Sequence, residues 1–239
     1  MNQEFMNYQE HYRQDALVFD YFDAGQLSPG ELRRNRFIID YCDIKPSMEI
    51  MDVGSGRGWF SLAASAKGAK VTALDLSEHN LKRIKELDPR IYTVLGDACQ
   101  IPPGDRLYDL IVALEVLEHI PEPALALASL KLRLKPGGKL IITVPYKEVI
   151  RSSLCIHCNQ LTPQNAHLHS FDTLSMTKLL AESGFRAIET RLFTHKLMTV
   201  LRFYELTAKL PYVIWYVLDR CLGLYNDKYH YLAVKASPE

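Results

Sequence analysis

Apolar residues along this chain fall alternately into short continuous runs and into helical stripes. Runs at 49–53, 70–75, 91–95 and 108–114 are rich in Ile, Val and Leu and end at Gly, Asp or Glu, as buried strands do. The run Tyr108–Leu114 has few polar interruptions, so it predicts a strand covered on both faces. Between the runs, stripes at 31–42, 59–67, 77–87 and 123–134 predict amphipathic helices. Leu32, Phe37, Ile38 and Tyr41 form the inward face of the first, and Phe60, Leu62 and Ala63 turn toward a sheet from the second. Gly68 is placed to stop a helix and Ser77 to cap the start of the next. A further stripe at 172–184 carries Leu174, Leu179 and Leu180 inward and ends at Gly184. In residues 2–23 the spacing of Phe5, Tyr8 and Tyr12 fits one face of a helix docked on the core.

The stretch around which these elements are organised is Ile50-Met51-Asp52-Val53-Gly54-Ser55-Gly56-Arg57-Gly58-Trp59. It reads as strand, glycine turn, helix. Glycines there reach backbone angles closed to other residues and let a ligand lie against the main chain. The helix that opens after the turn offers free N–H groups and the positive end of its dipole to a carboxylate or phosphate. A nicotinamide dinucleotide would want G-x-G-x-x-G, but here the third glycine, Gly58, comes one residue early and Trp59 stands in its place. Asp75 ends the second strand roughly 20 residues after the turn, placed to accept hydrogen bonds from a ribose diol, which any adenosine cofactor provides.

Composition narrows the class. At 239 residues the chain is long enough for one domain with a substantial core. Lys and Arg number 28 and so do Asp and Glu, which leaves no basic excess for nucleic acid. Five scattered cysteines argue against a secreted disulfide scaffold. No signal-peptide pattern opens the chain and no apolar run is long enough to span a bilayer, so the expected setting is cytoplasmic.

The pattern D-x-G-x-G-x-G at a strand end resembles motif I of the class I S-adenosylmethionine-dependent methyltransferases. The run Tyr108-Asp-Leu-Ile-Val-Ala-Leu-Glu-Val-Leu-Glu-His-Ile120 closely resembles the motif after strand four in the group that includes the ubiquinone-pathway O-methyltransferases. Leu134-Lys-Pro-Gly-Gly-Lys-Leu-Ile-Ile-Thr-Val-Pro145 looks like that family's turn and fifth strand. These matches cover about 49–145. The resemblance implies an α/β, Rossmann-like, doubly wound sheet of seven strands in the order 3-2-1-4-5-7-6. Strand six is then 185–192, and strand seven, 229–235, runs antiparallel between five and six. It implies S-adenosyl-L-methionine as cofactor, held by Asp52, Gly54, Ser55, Gly56, Gly58, Asp75, Leu76 and Glu115, with Asp97 on the adenine amino group and the Ala98 N–H on the ring. Residues 1–45 become an N-terminal helical lid on a single domain, and 195–224 a helical insertion before the last strand.

The reaction that follows is methyl transfer to a small-molecule acceptor, most simply a hydroxyl oxygen, by in-line displacement. A histidine is the natural base for the hydroxyl proton; His119, just past strand four, and His169 are the first candidates, with His167 beside them. The insertion 146–171 raises a separate possibility. Cys155 and Cys158, followed by His167 and His169, supply four potential zinc ligands, although the H-x-H spacing is too short for a standard finger. The same histidines also suit an acceptor pocket or an ordinary surface. Two further readings stay open. In one, Glu115, Glu118, His119 and a later histidine hold a divalent metal, as in the small-RNA 2′-O-methyltransferases, which carry a similar E-x-x-E-H run. In the other, the domain binds S-adenosylmethionine without catalysing. Residues 195–224 could form core, a homodimer face or a peripheral membrane contact; the chain is expected to be a monomer or homodimer.

Overall fold

In a computed structural model, residues 7–19, 22, 27–156, 159–194, 212–225 and 230–239 are described. Helix α1 (Tyr8–Val18) and helix α2 (Pro29–Cys42) precede the sheet. Then follow β1 (Glu49–Val53), α3 (Trp59–Ala66), β2 (Lys70–Asp75), α4 (Glu78–Leu87), β3 (Tyr92–Leu95), β4 (Tyr108–Leu114), a short 3-10 turn (Leu117–His119), α5 (Pro123–Lys131) and β5 (Leu134–Pro145). A hairpin of β6 (Ser152–Leu154) and β7 (Leu161–Pro163) comes next, with a 3-10 turn at Gln164–Ala166. The chain closes with α6 (Thr173–Glu182), β8 (Phe185–Phe193), α7 (Tyr212–Tyr225) and β9 (Tyr231–Pro238).

The large sheet has seven strands in the order β3-β2-β1-β4-β5-β9-β8. Strands β1 to β5 pair in parallel, and β9 runs antiparallel to both neighbours, β5 and β8. This is the expected order 3-2-1-4-5-7-6 once the small hairpin is set aside. Two cores flank the sheet. On one face Met51, Val53, Ile111 and Leu140 meet Leu127 and Leu130 of α5 and Met176 and Leu180 of α6. On the other, Ile50, Val112 and Ile141 meet Phe37 and Ile38 of α2, Phe60 and Ala64 of α3 and Ile84 of α4. Cutting a fully buried leucine such as Leu127 to Ala should cost ~2–5 kcal/mol.

Local chemistry sets the helix ends. Ser28 and Glu31 form a reciprocal capping box with Pro29 at the first helical position, so α2 starts two residues before the predicted 31. Ser77 caps α4 by accepting from the Asn80 N–H, as expected. Two inward assignments are corrected. Leu32 is exposed on α2, where Arg33, Phe37 and Tyr41 face in, and Leu174 is exposed on α6, where Met176 and Leu180 do so. Both residues lie in the first turn of their helix, Leu32 one position before the buried Arg33 and Leu174 two before the buried Met176. Phe5, His157, Cys158 and residues 195–211 lie outside the described residues, so the full 195–224 insertion is represented by α7 alone. No helix among the described residues is long and apolar enough to cross a membrane.

Candidate active site

The sheet order reverses between β1 and β4, and a crevice opens at the carboxyl ends of these strands, where doubly wound sheets bind ligands. A cavity of about 690 Å³ occupies it, large enough for a cofactor with a small acceptor. One wall is the glycine turn. The N–H groups of Gly54 and Ser55 both donate to Leu74 O, at 2.8 and 3.1 Å, and this ties the turn to the end of β2. Gly54 (φ +64°) and Gly56 (φ +50°) line the cavity in left-handed conformations. A Cβ on Gly54 would come within 2.7 Å of Val116, another wall residue.

Asp75 sits where β2 enters α4. Its carboxylate accepts from the Gly56 N–H (2.8 Å) and the Ser77 N–H (2.8 Å), so one side chain holds the glycine turn and the start of the helix together. Burial raises its pKa, opposed by those two N–H donors. Asp97, past β3, accepts from the Cys99 N–H at 2.8 Å, and its second oxygen accepts from Tyr8 Oη and Gln9 Nε2 of α1. The Tyr8 hydroxyl is thereby pushed well above its usual range, chiefly by burial and then by the Asp97 hydrogen bond. Leu76, Ala98 and Glu115 also line the cavity. Glu115 takes a left-handed backbone (φ 57°) at the end of β4, with its N–H on Thr143 O. Such a conformation in a non-glycine residue costs ~1–3 kcal/mol and concentrates at functional sites.

Three expected cofactor contacts are not in the cavity wall. Asp52 is out of phase with Val53 on the pleat, so it points to the opposite face and accepts from Ser61 Oγ at 2.7 Å. Burial pushes its carboxyl up to about 7, and the nearby Asp75 charge adds to this. Gly58 (φ +70°) caps α3, and a Cβ there would lie 2.5 Å from Ile84. It permits close packing of α3 on α4. The Ser55 side chain is buried outside the lining. These residues shape the turn from beneath.

The other end of the cavity is built from parts far apart in sequence. His119 ends the short turn after β4. Its Nδ1 lies 2.7 Å from Tyr12 Oη of α1 and 3.3 Å from Ala166 O. Burial, with His167 beside it, pushes the His119 imidazole down to about 4, so the ring is neutral near pH 7. The Glu118 carbonyl accepts from the Leu168 N–H (2.7 Å) and the His169 N–H (3.2 Å), which pins the post-hairpin segment to this turn. Thr162, Pro163, Asn165 and Ala166 therefore reach the cavity wall, and so do His11, Asp15 and Ala16 of α1. The hairpin residues had no sequence signal, whereas the aromatic spacing of residues 2–23 pointed to a helix docked on the core, and α1 is a helix whose residues reach this wall. His169 is not in the wall: its Nε2 donates to Ile120 O at 2.9 Å and so braces the loop.

The proposed zinc quartet is not gathered among the described residues. Cys155 lies in the hairpin turn, where its N–H donates to Gln160 O, and Cys158 falls outside those residues. His167 pairs with Glu148 through Nδ1, and His169 is held at Ile120. The groups that do converge are Glu118, His119 and His167, with one ligand-type atom of each within 4.8 Å of the others.

Comparison with known proteins agrees with this geometry. Residues 30–190 match the family described as a methyltransferase domain. The ubiquinone biosynthesis O-methyltransferase of Xanthomonas campestris pv. campestris is 30% identical over 181 residues, 70% of this chain and 74% of that protein. The demethylmenaquinone methyltransferase of Renibacterium salmoninarum is 36% identical over 117 residues, so the match spans about half of each chain (48% and 49%). Among solved structures, a Haemonchus contortus phosphoethanolamine N-methyltransferase 2 in complex with S-adenosyl-L-methionine superposes with a TM-score of 0.65 at 20% identity, covering 99% of this chain and 60% of that one. Magnesium protoporphyrin IX methyltransferase from Synechocystis with bound cofactor gives 0.62 at 15% identity, covering 97% of both. The family match, the sheet order and the acid-marked strand ends agree: this chain belongs to the class I S-adenosylmethionine-dependent methyltransferases.

Proposed function

We propose that this enzyme moves the methyl group of S-adenosylmethionine to a hydroxyl oxygen of a small acceptor. The observation that carries the reading is the continuity of one cavity from Asp75 and Asp97 at the adenosine end to His119 at the other. In this reading Asp75 takes the ribose hydroxyls, Asp97 the adenine amino group, and the backbone at Gly54 and Gly56 the methionine portion. The sulfonium methyl then faces the volume between Tyr12, His119 and Ala166, and the acceptor enters there.

The methyl is already activated, so the protein chiefly aligns the attacking oxygen with the carbon–sulfur bond. Such positioning can be worth ~7–11 kcal/mol. The oxygen forms its bond to carbon as the carbon–sulfur pair returns to sulfur, which yields a methyl ether, S-adenosylhomocysteine and one proton. His119 is the wall residue assigned to the acceptor hydroxyl, and His169 braces the loop behind it. The O-methyltransferase relative supports an oxygen acceptor, and the neutral charge balance supports a small molecule over RNA.

The test is transfer of labelled methyl to a panel of hydroxylated aromatics and their amine counterparts. O-methyl products are expected. Products methylated only at nitrogen or carbon would refute the hydroxyl assignment, and no S-adenosylhomocysteine with any acceptor would refute catalysis.

A further inference from the structure

Resting on the acceptor volume assigned above to the space between Tyr12, His119 and Ala166, we propose that the acceptor carries no anionic group. Carboxylates in the cavity wall select it against analogues that bear a carboxylate, phosphate or sulfate.

Among the described wall residues four are carboxylates: Asp75 and Asp97 at the end assigned to the cofactor, Glu115 after β4 and the half-buried Asp15 on α1. Asp15 follows Tyr12 by three positions, so the two share one face of that helix. No Lys or Arg is among the described residues of this wall. Behind His119 the sign is the same: Glu118 Oε1 lies 4.0 Å from its Nε2, and Glu148 faces His167. An ionised carboxylate accepts hydrogen bonds and cannot donate one. None of these groups can therefore hold an anion on the acceptor, whatever else each of them bonds.

The donors that the wall offers are Tyr12, Thr162, Asn165 and His119, with an exposed His11 beside them. Burial pushes the His119 imidazole down to about 4, so it meets the acceptor as a neutral ring. Between the donors the surface is apolar, from Ala16, Val116, Ile120 and Pro163. These groups suit a hydroxylated ring or chain. An anion entering here gives up water and finds hydroxyls and an amide but no fixed cationic side chain, so its desolvation is poorly offset. The cofactor, when bound, supplies one net positive charge, which the wall carboxylates outnumber.

The experiment compares catechol with protocatechuate, the same ring with one added carboxylate. Calorimetry on the full chain saturated with S-adenosylhomocysteine reads binding, and initial rates with S-adenosylmethionine read kcat/KM. Catechol is expected to be favoured ~30-fold in both, the scale of one charge facing others of its sign in a partly wet site. Asp15→Lys, which puts an ammonium where the wall has a carboxylate, should move the binding ratio about tenfold toward protocatechuate. Retained S-adenosylhomocysteine binding verifies that this variant is folded. Equal or tighter binding of protocatechuate by the wild type overturns the proposal, and so does a ratio that Asp15→Lys leaves unaltered. O-methylation of both probes with equal efficiency also overturns it, while leaving the hydroxyl acceptor intact. Preferential binding of catechol without any O-methyl product supports charge selection and counts against the hydroxyl reading instead.

Discussion

The two ends of the cavity are built on different principles. At the end assigned to the cofactor, the expected contact residues in the wall come from strand ends or the first residues after them: Gly54 and Gly56 after β1, Asp75 on β2, Asp97 after β3. Parallel pairing in register brings them together, and backbone groups do much of the holding, as Asp75 shows by clasping the Gly56 and Ser77 N–H groups. At the acceptor end the wall comes from α1, the turn after β4 and the segment after a hairpin, and side chains hold it across 47 to 107 positions in sequence. The first end is a property of the fold. The second is a property of this chain and, in the proposed reading, is where acceptor choice varies. Helix α1 joins the two, with Tyr8 and Gln9 on Asp97 and Tyr12 on His119.

The contrast can be broken in four places. The largest effect should come from the acceptor end. His119→Ala should lower turnover by ~10²-fold or more while S-adenosylhomocysteine affinity stays within about twofold; calorimetry beside initial rates would reveal any spillover between the ends. At the cofactor end, Asp75→Ala removes a charged acceptor from the ribose site and from Gly56. Cofactor affinity should fall ~10- to 100-fold, the scale of hydrogen bonds to a charged group, and unchanged affinity would remove Asp75 from the ribose.

The joint between the ends comes third. Tyr8 donates to the carboxylate assigned to the adenine amino group. If α1 must release Asp97 before the cofactor seats, Tyr8→Phe should tighten S-adenosylhomocysteine binding about fivefold and speed its association in stopped flow, consistent with loss of one competing hydrogen bond. Weaker binding would mean that Tyr8 packs on the cofactor.

The fourth place is stability. Asp52 is raised from 3.8 to about 7 in the folded state, chiefly by burial. The folded state therefore holds this proton more tightly than the unfolded chain. Stability from this group is present below pH ~4 and is lost as pH rises to ~7, where the buried carboxyl ionises. Melting curves from pH 5 to 8 should show wild type losing more than Asp52→Asn, and parallel curves would contradict the assignment.

Much of the fold was legible because it follows from local patterns. β1, β2 and β4 begin and end where their apolar runs do, and the strand order follows from the motif resemblance. The helix phases of Leu32 and Leu174 were misread because a first turn can reach past the edge of the core. In the site, Asp75, Asp97 and His119 were readable as polar residues at strand ends. Asp52 and Gly58, expected as cofactor contacts, lie outside the cavity wall; a motif does not say which face of a pleat a side chain takes, nor which neighbour a glycine admits.

By itself, then, the sequence determined the strand–helix alternation, the glycine turn and the acids at the strand ends, since all three depend on residues within a few positions of one another. Only the tertiary structure decided that Asp52 supports α3, that His169 braces a loop and that Glu118, His119 and His167 meet. The last two depend on contacts between segments some 50 residues apart, such as Leu168 N–H to Glu118 O and His169 Nε2 to Ile120 O, and the first on which face of the sheet α3 covers; no local pattern encodes either.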